Sequence, residues 1–252
     1  MQAPSYLTPS RMGDPKTSMV RYQPRLDALE DVQTPTTVFI PSDVDSAVSA
    51  IHAEMVERDW NRAFLRSPYK AAPQRLKAGS FIQQPETSHI RSTVESLHVQ
   101  LNDSPWPVGN KLILRERLDL SFCLEPSHTM EHPEIRFFIE GGEILGRTPQ
   151  DCSSNQLCSH GFDYVKEIID DASPPVNQAK VVAQEFDDYH WCADFVLTTR
   201  GEWYCVELNF GGVRWDDQQE RWRNMCGYGD EVAHSPQVIH GYVIDKLFPS
   251  TE

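Results

Sequence analysis

Two kinds of apolar spacing alternate along this chain, and their order carries most of its structural information. Thr37-Val38-Phe39-Ile40 is a short β run, and Pro41-Ser42-Asp43 after it offers a helix start. From Asp45 to Arg58, Val48, Ile51, Met55 and Val56 recur at helical spacing. Ala63 to Arg66 reads as a second strand that ends in Ser-Pro-Tyr-Lys, and Ile90 to Leu101 as an amphipathic helix through Val94, Leu97 and His98. Lys111 to Leu118 is a third strand. Two β runs flank Gly141-Gly142 between Glu134 and Thr148, and two more flank Arg200-Gly201 between Trp191 and Phe210, with helical patterns near 161–170 and 177–187. Strand pairs joined by helices, without regular βα alternation, predict an α+β fold of two lobes with antiparallel sheets flanked by helices.

Residues 1–36 hold Pro4, Pro9, Pro15, Pro24 and Pro35 among Ser, Thr and Gln, and the reading there is a flexible N-terminal arm. The folded part is then 37–252, divided into 37–115, an N-terminal part and central lobe, and 116–252, a C-terminal lobe and tail. The polar stretch Glu125 to Pro133 is an insertion, and the tail carries Trp215 and Trp222. The tail is open to two readings, a partner-docking segment or a C-terminal helix packed on the sheet.

Charge narrows the function classes. Asp and Glu total 37 against 23 Lys and Arg, a net charge of −14, so neither nucleic acid nor an anionic membrane is an expected partner. No apolar run reaches the length of a spanning helix and no secretory apolar core stands near Met1, so a cytoplasmic location is expected. The six cysteines form no C-x-x-C pair, and Cys192 and Cys205 sit in apolar runs as small hydrophobes.

Candidate chemistry lies on the two hairpins. A two-residue turn at Gly141-Gly142 sets Arg136 opposite Arg147, with Phe137, Ile139, Ile144 and Gly146 on the core side. Facing arginines repel unless an anion lies between them, and a phosphate suits that place. The alternative is that both reach solvent or pair with Glu134 and Glu143. The same reasoning at Arg200-Gly201 sets Asp194 opposite Glu207, with Asn209 on the same face. Two carboxylates and an amide oxygen are hard ligands of the kind that hold Mg²⁺ together with substrate phosphates. The alternative here is an exposed edge-strand pair.

These residues resemble the ATP-grasp superfamily, whose metal signature is an Asp followed, after a turn, by Glu-x-Asn on the next strand. Order and length are most similar to the compact branch that includes cell division cycle protein 123 and related phage and archaeal proteins. The resemblance implies ATP and Mg²⁺ as cofactors, with Asp194, Glu207 and Asn209 as metal ligands and Glu134 on the ribose. It also implies adenine binding along the strand that holds Arg115, Glu116 and Leu118, and phosphate binding by Arg66 and Lys70. Arg136 and Arg147 are candidate catalytic residues. One departure stands out: many ligases of this family carry an Arg two residues before the metal Asp, and this chain has Cys192 there. The implied activity is carboxylate–amine ligation through an acyl phosphate, with small-molecule or peptide carboxylate and amine substrates. The alternatives are an ATP-binding assembly factor for a protein partner and a small-molecule phosphotransferase.

Overall fold

A computed structural model describes residues 18–68, 81–102, 110–121, 123–124, 130–131, 133–149, 169–188, 191–210, 213–216 and 221–224. The chain divides into two compact units, one holding residues 18–24 and 35–118 and the other residues 25–34 and 119 onward. The expectations for Lys70, for a helix before residue 169, for the middle of the Glu125–Pro133 insertion and for the chain beyond residue 224 lie outside the described residues.

The proline-rich N-terminal region corrects the sequence reading. Residues 18–36 are not a loose arm, because Met19–Asp27 is a helix, α1, with Pro24 inside it. Met19, Tyr22 and Leu26 recur at helical spacing and are buried, as is Val32 just beyond. Burial of these four side chains outweighs the backbone hydrogen bond that Pro24 cannot make.

The first unit is built on an antiparallel sheet of β1 (Thr37–Pro41), β2 (Ala63–Arg66), β3 (Phe81–Ile82) and β4 (Lys111–Glu116), in the order β1-β4-β2-β3. The helices α2 (Val44–Glu57) and α3 (Thr87–Asn102) cover one face. Asp43 caps α2 by accepting the Ser46 N–H at 2.9 Å, a bond that lowers its carboxyl below the ordinary range. Alternation along the strands sends Ile40, Leu65, Leu112 and Leu114 into a core with Val48, Ile51, Met55, Val94 and Leu97. The opposite face receives Thr37, Phe64, Arg66 and Arg115.

In the second unit, β5 (Cys123–Leu124) and β6 (Met130–Glu131) form a two-residue ladder at the insertion. The main sheet comprises β7 (Glu134–Glu140), β8 (Glu143–Pro149), β9 (Trp191–Leu197) and β10 (Trp203–Phe210), antiparallel throughout and ordered β10-β9-β7-β8. The helix α4 (Val176–Glu185) covers the face that carries Phe137, Phe195 and Trp191, with Phe186 edge-on to Trp191 at 5.8 Å and Phe137 edge-on to Phe195 at 5.6 Å. Arg25 closes the end of α4: its Nε and Nη2 donate to Oε1 and the carbonyl of Glu185 at 2.9 and 2.6 Å, and its guanidinium lies 4.4 Å from the Phe186 ring centre. The tail readings change as well, because β11 (Val213–Asp216) and β12 (Arg221–Asn224) pair antiparallel where a helix was one expectation. Among the described residues, no helix is long and apolar enough to cross a membrane.

Candidate functional site

Asp194 faces Glu207 as the sequence predicts, but by a different route. The turn is a three-residue loop closed by the Thr198 N–H on the Glu202 carbonyl, with Gly201 in the left-handed region at φ +78°. Trp203 therefore pairs with Leu197, one register step from the expected pairing. A bulge between Cys205 and Glu207 then inserts one residue and restores Glu207 to Asp194. Asn209 pairs with Cys192, which keeps it on the face of Asp194 and Glu207, and its Nδ2 donates to Asp194 Oδ2 at 2.9 Å and Glu207 Oε2 at 3.1 Å.

The arginine pair is overturned. Gly141 and Gly142, at φ +56° and +84°, make the two-residue turn, and Ile139 faces Ile144 as predicted. A bulge next to Ile139 then shifts the register, so Arg147 faces Phe137 and Arg136 faces Thr148. The two arginines leave opposite faces of the sheet. Arg147 lies on the α4 side, 3.6 Å from Asp170 Oδ1. Arg136 lies on the Asp194 side, because β7 is the neighbour of β9 and the register pairs Arg136 with Asp194 directly. Its Nε and Nη2 donate to Asp194 Oδ1 and Oδ2 at 2.6 and 2.7 Å, a bidentate ion pair that is buried on both sides. Turn chemistry in the sequence carries no signal for which strand lies beside β9, and this pairing was missed for that reason.

Glu134, Arg136, Asp194, Glu207 and Asn209 thus share one face across β7, β9 and β10. Asp194 is 2% exposed, and burial pushes its carboxyl from the ordinary 3.8 up to about 6. Arg136 pulls it back down, while Glu134 and Glu207 add to the rise. Among the described residues no group of three His, Cys, Asp or Glu is placed to hold a metal, so a cation here depends on the Asn209 amide as third donor. The donor set fits Mg²⁺: two carboxylate oxygens lie within 3.1 Å of one amide nitrogen, and half a turn of that amide brings its oxygen to the same place. Cys192 is fully buried, as is Cys205, and neither forms a disulfide.

In the first unit the candidate nucleotide residues divide. Arg66 ends β2 and is 3% exposed, its Nε donating to the Ser67 carbonyl at 3.3 Å. Arg115 is buried on the same sheet face, where Nη2 donates to Gln23 Oε1 at 2.5 Å and Nε to Thr37 Oγ1 at 3.1 Å. Gln23 is fully buried on α1, so this bond ties the N-terminal helix to β4. Glu116 is spent on β1: its N–H donates to the Thr36 carbonyl and its Oε1 accepts the Thr36 N–H, at 3.1 and 2.9 Å. Leu118 follows the strand end as the last residue of this unit.

No protein-family model matches the sequence, and no curated protein matches it. Comparison with solved structures does place the architecture, which is an ATP-grasp-like fold. Within that class the likeness is to C-terminally truncated Cdc123 from Schizosaccharomyces pombe, at a TM-score of 0.50 and 11% identity over 82% of this chain and 87% of that one. The D-alanine-D-alanine ligase from Coxiella burnetii aligns at a TM-score of 0.49 and 10% identity over 92% of this chain and 56% of the ligase.

Proposed function

We propose that this chain is a Mg²⁺–ATP-binding protein of the ATP-grasp type that joins a carboxylate to an amine through an acyl phosphate. One observation carries the reading: Asp194, Glu207 and Asn209 converge on a single point of one sheet face, in the order and spacing of the family's metal strands. Mg²⁺ held there would supply charge neutralisation for nucleotide phosphates. The chain's own part is positioning: Arg136 fixes both oxygens of Asp194, and Asn209 bridges Asp194 to Glu207. Glu134 on the same face is the proposed ribose ligand. Arg66, Lys70 and the strand through Arg115, Glu116 and Leu118 have their proposed phosphate and adenine roles from the family resemblance. With the Glu116 N–H taken by Thr36, adenine recognition on that strand falls to the backbone beyond Glu116.

A second reading, an ATP-binding assembly factor for a protein partner, is favoured by two observations. The site presents buried Cys192 where family ligases carry an arginine, and Arg147 leaves the opposite face of the sheet. A phosphate-release screen over carboxylate and amine pairs tests the difference. Glu207→Gln is the inactive control, since it spares the buried Arg136–Asp194 pair. Ligation predicts phosphate release only when both substrates are present; tight Mg²⁺–ATP binding with no release across the screen decides for the assembly factor.

A further inference from the structure

Both carboxylate oxygens of Asp194 already accept from donors. Oδ1 receives Arg136 Nε, and Oδ2 receives both Arg136 Nη2 and Asn209 Nδ2. The positive end of the Asn209 amide also points at Glu207, so the guanidinium and the amide occupy the cation's electrostatic place. A bare divalent cation arriving here must break a buried bidentate pair and bring its two charges against a buried guanidinium, which is far costlier than displacing water. A nucleotide changes that balance, because its phosphates bring anionic oxygens to which the released guanidinium can turn.

We propose that Arg136 is an internal counter-ion that closes the metal site to free divalent cations, so that the metal enters only together with a nucleoside triphosphate. The inference rests on the metal reading above and adds an order of binding to it. Arg136 acts through Asp194 as a positioning residue. Removing its charge should open the site, and a doubly charged cation gains twice what a proton gains from that removal, so the increase survives proton competition at the carboxylates.

The test uses Mn²⁺ as probe, with protein-bound ion counted by equilibrium dialysis in which Mn²⁺ and ATP reach both chambers, on the full chain with and without ATP. The wild type should bind no Mn²⁺ at millimolar concentration without ATP and one equivalent with it. Arg136→Gln should bind Mn²⁺ without ATP about tenfold or more tightly than the wild type, a gain that structural damage alone would not produce. Should Arg136→Gln fail to fold, Arg136→Met keeps the apolar stem and removes the charge, and it too should bind Mn²⁺ without ATP more tightly than the wild type. Equal Mn²⁺ binding by the wild type with and without ATP, or an unchanged affinity in a folded variant, overturns the inference and leaves the metal site standing. Absence of Mn²⁺ binding in every protein even with ATP overturns the metal site itself.

Discussion

Replacing Arg136 by Gln removes both guanidinium hydrogen bonds from a carboxyl that is 2% exposed, and the cost should depend on pH in a calculable way. Asp194 holds its proton more tightly in the folded protein than at the ordinary value, about 6 against 3.8. Its contribution to stability therefore falls as pH rises through that interval and then levels off. At pH 7 this penalty is about 3 kcal/mol in the wild type. Without Arg136 the carboxyl stays protonated to higher pH, and holding a proton on a group of ordinary value 3.8 costs at most about 4 kcal/mol at pH 7. The variant's proton-linked loss relative to the wild type is thus small at pH 6, about 1 kcal/mol at pH 7 and about 3 kcal/mol at pH 8. Lost packing adds the same offset at every pH and drops out of the slope. Urea unfolding at the three pH values, followed by tryptophan fluorescence, reads the difference, since Trp191 and Trp203 are buried in the same unit. A wild-type-minus-variant difference that stays flat between pH 6 and 8 refutes the reasoning.

Gln23→Ala should destabilise the protein by about 1–3 kcal/mol in urea unfolding, because it removes a charge-assisted hydrogen bond from the buried Arg115 guanidinium. Leu26→Ala should cost about 2–5 kcal/mol, where a truly loose arm would show no change. Asp43→Ala should cost about 1 kcal/mol through loss of the α2 cap.

Where the periodicity is local, the sequence is legible. The spacing of Val48, Ile51 and Met55 specifies α2, and Gly141-Gly142 specifies its turn through the positive φ that both residues adopt. The same is true of α1 in retrospect: Met19, Tyr22 and Leu26 carry the helical spacing, and the density of prolines around them masks it. Bulges are a different matter. Each shifts pairing by one residue without any apolar signature, so Arg147 moved to the far face while Glu207 returned to Asp194 only because turn and bulge offset each other. Strand order is likewise silent in local patterns, and the pairing that matters most to the site, Arg136 with Asp194, depends on it.

The central claim is that Asp194, Glu207 and Asn209 hold a metal for a bound nucleotide. Calorimetric titration with ATP, with and without Mg²⁺, tests it most directly in the wild type and in the Glu207→Gln, Asn209→Ala double variant. The account predicts that removing Mg²⁺ weakens ATP binding by the wild type about tenfold or more, and that the double variant binds ATP no better with Mg²⁺ than without it. Equal affinity of the two proteins for ATP in the presence of Mg²⁺ would contradict it.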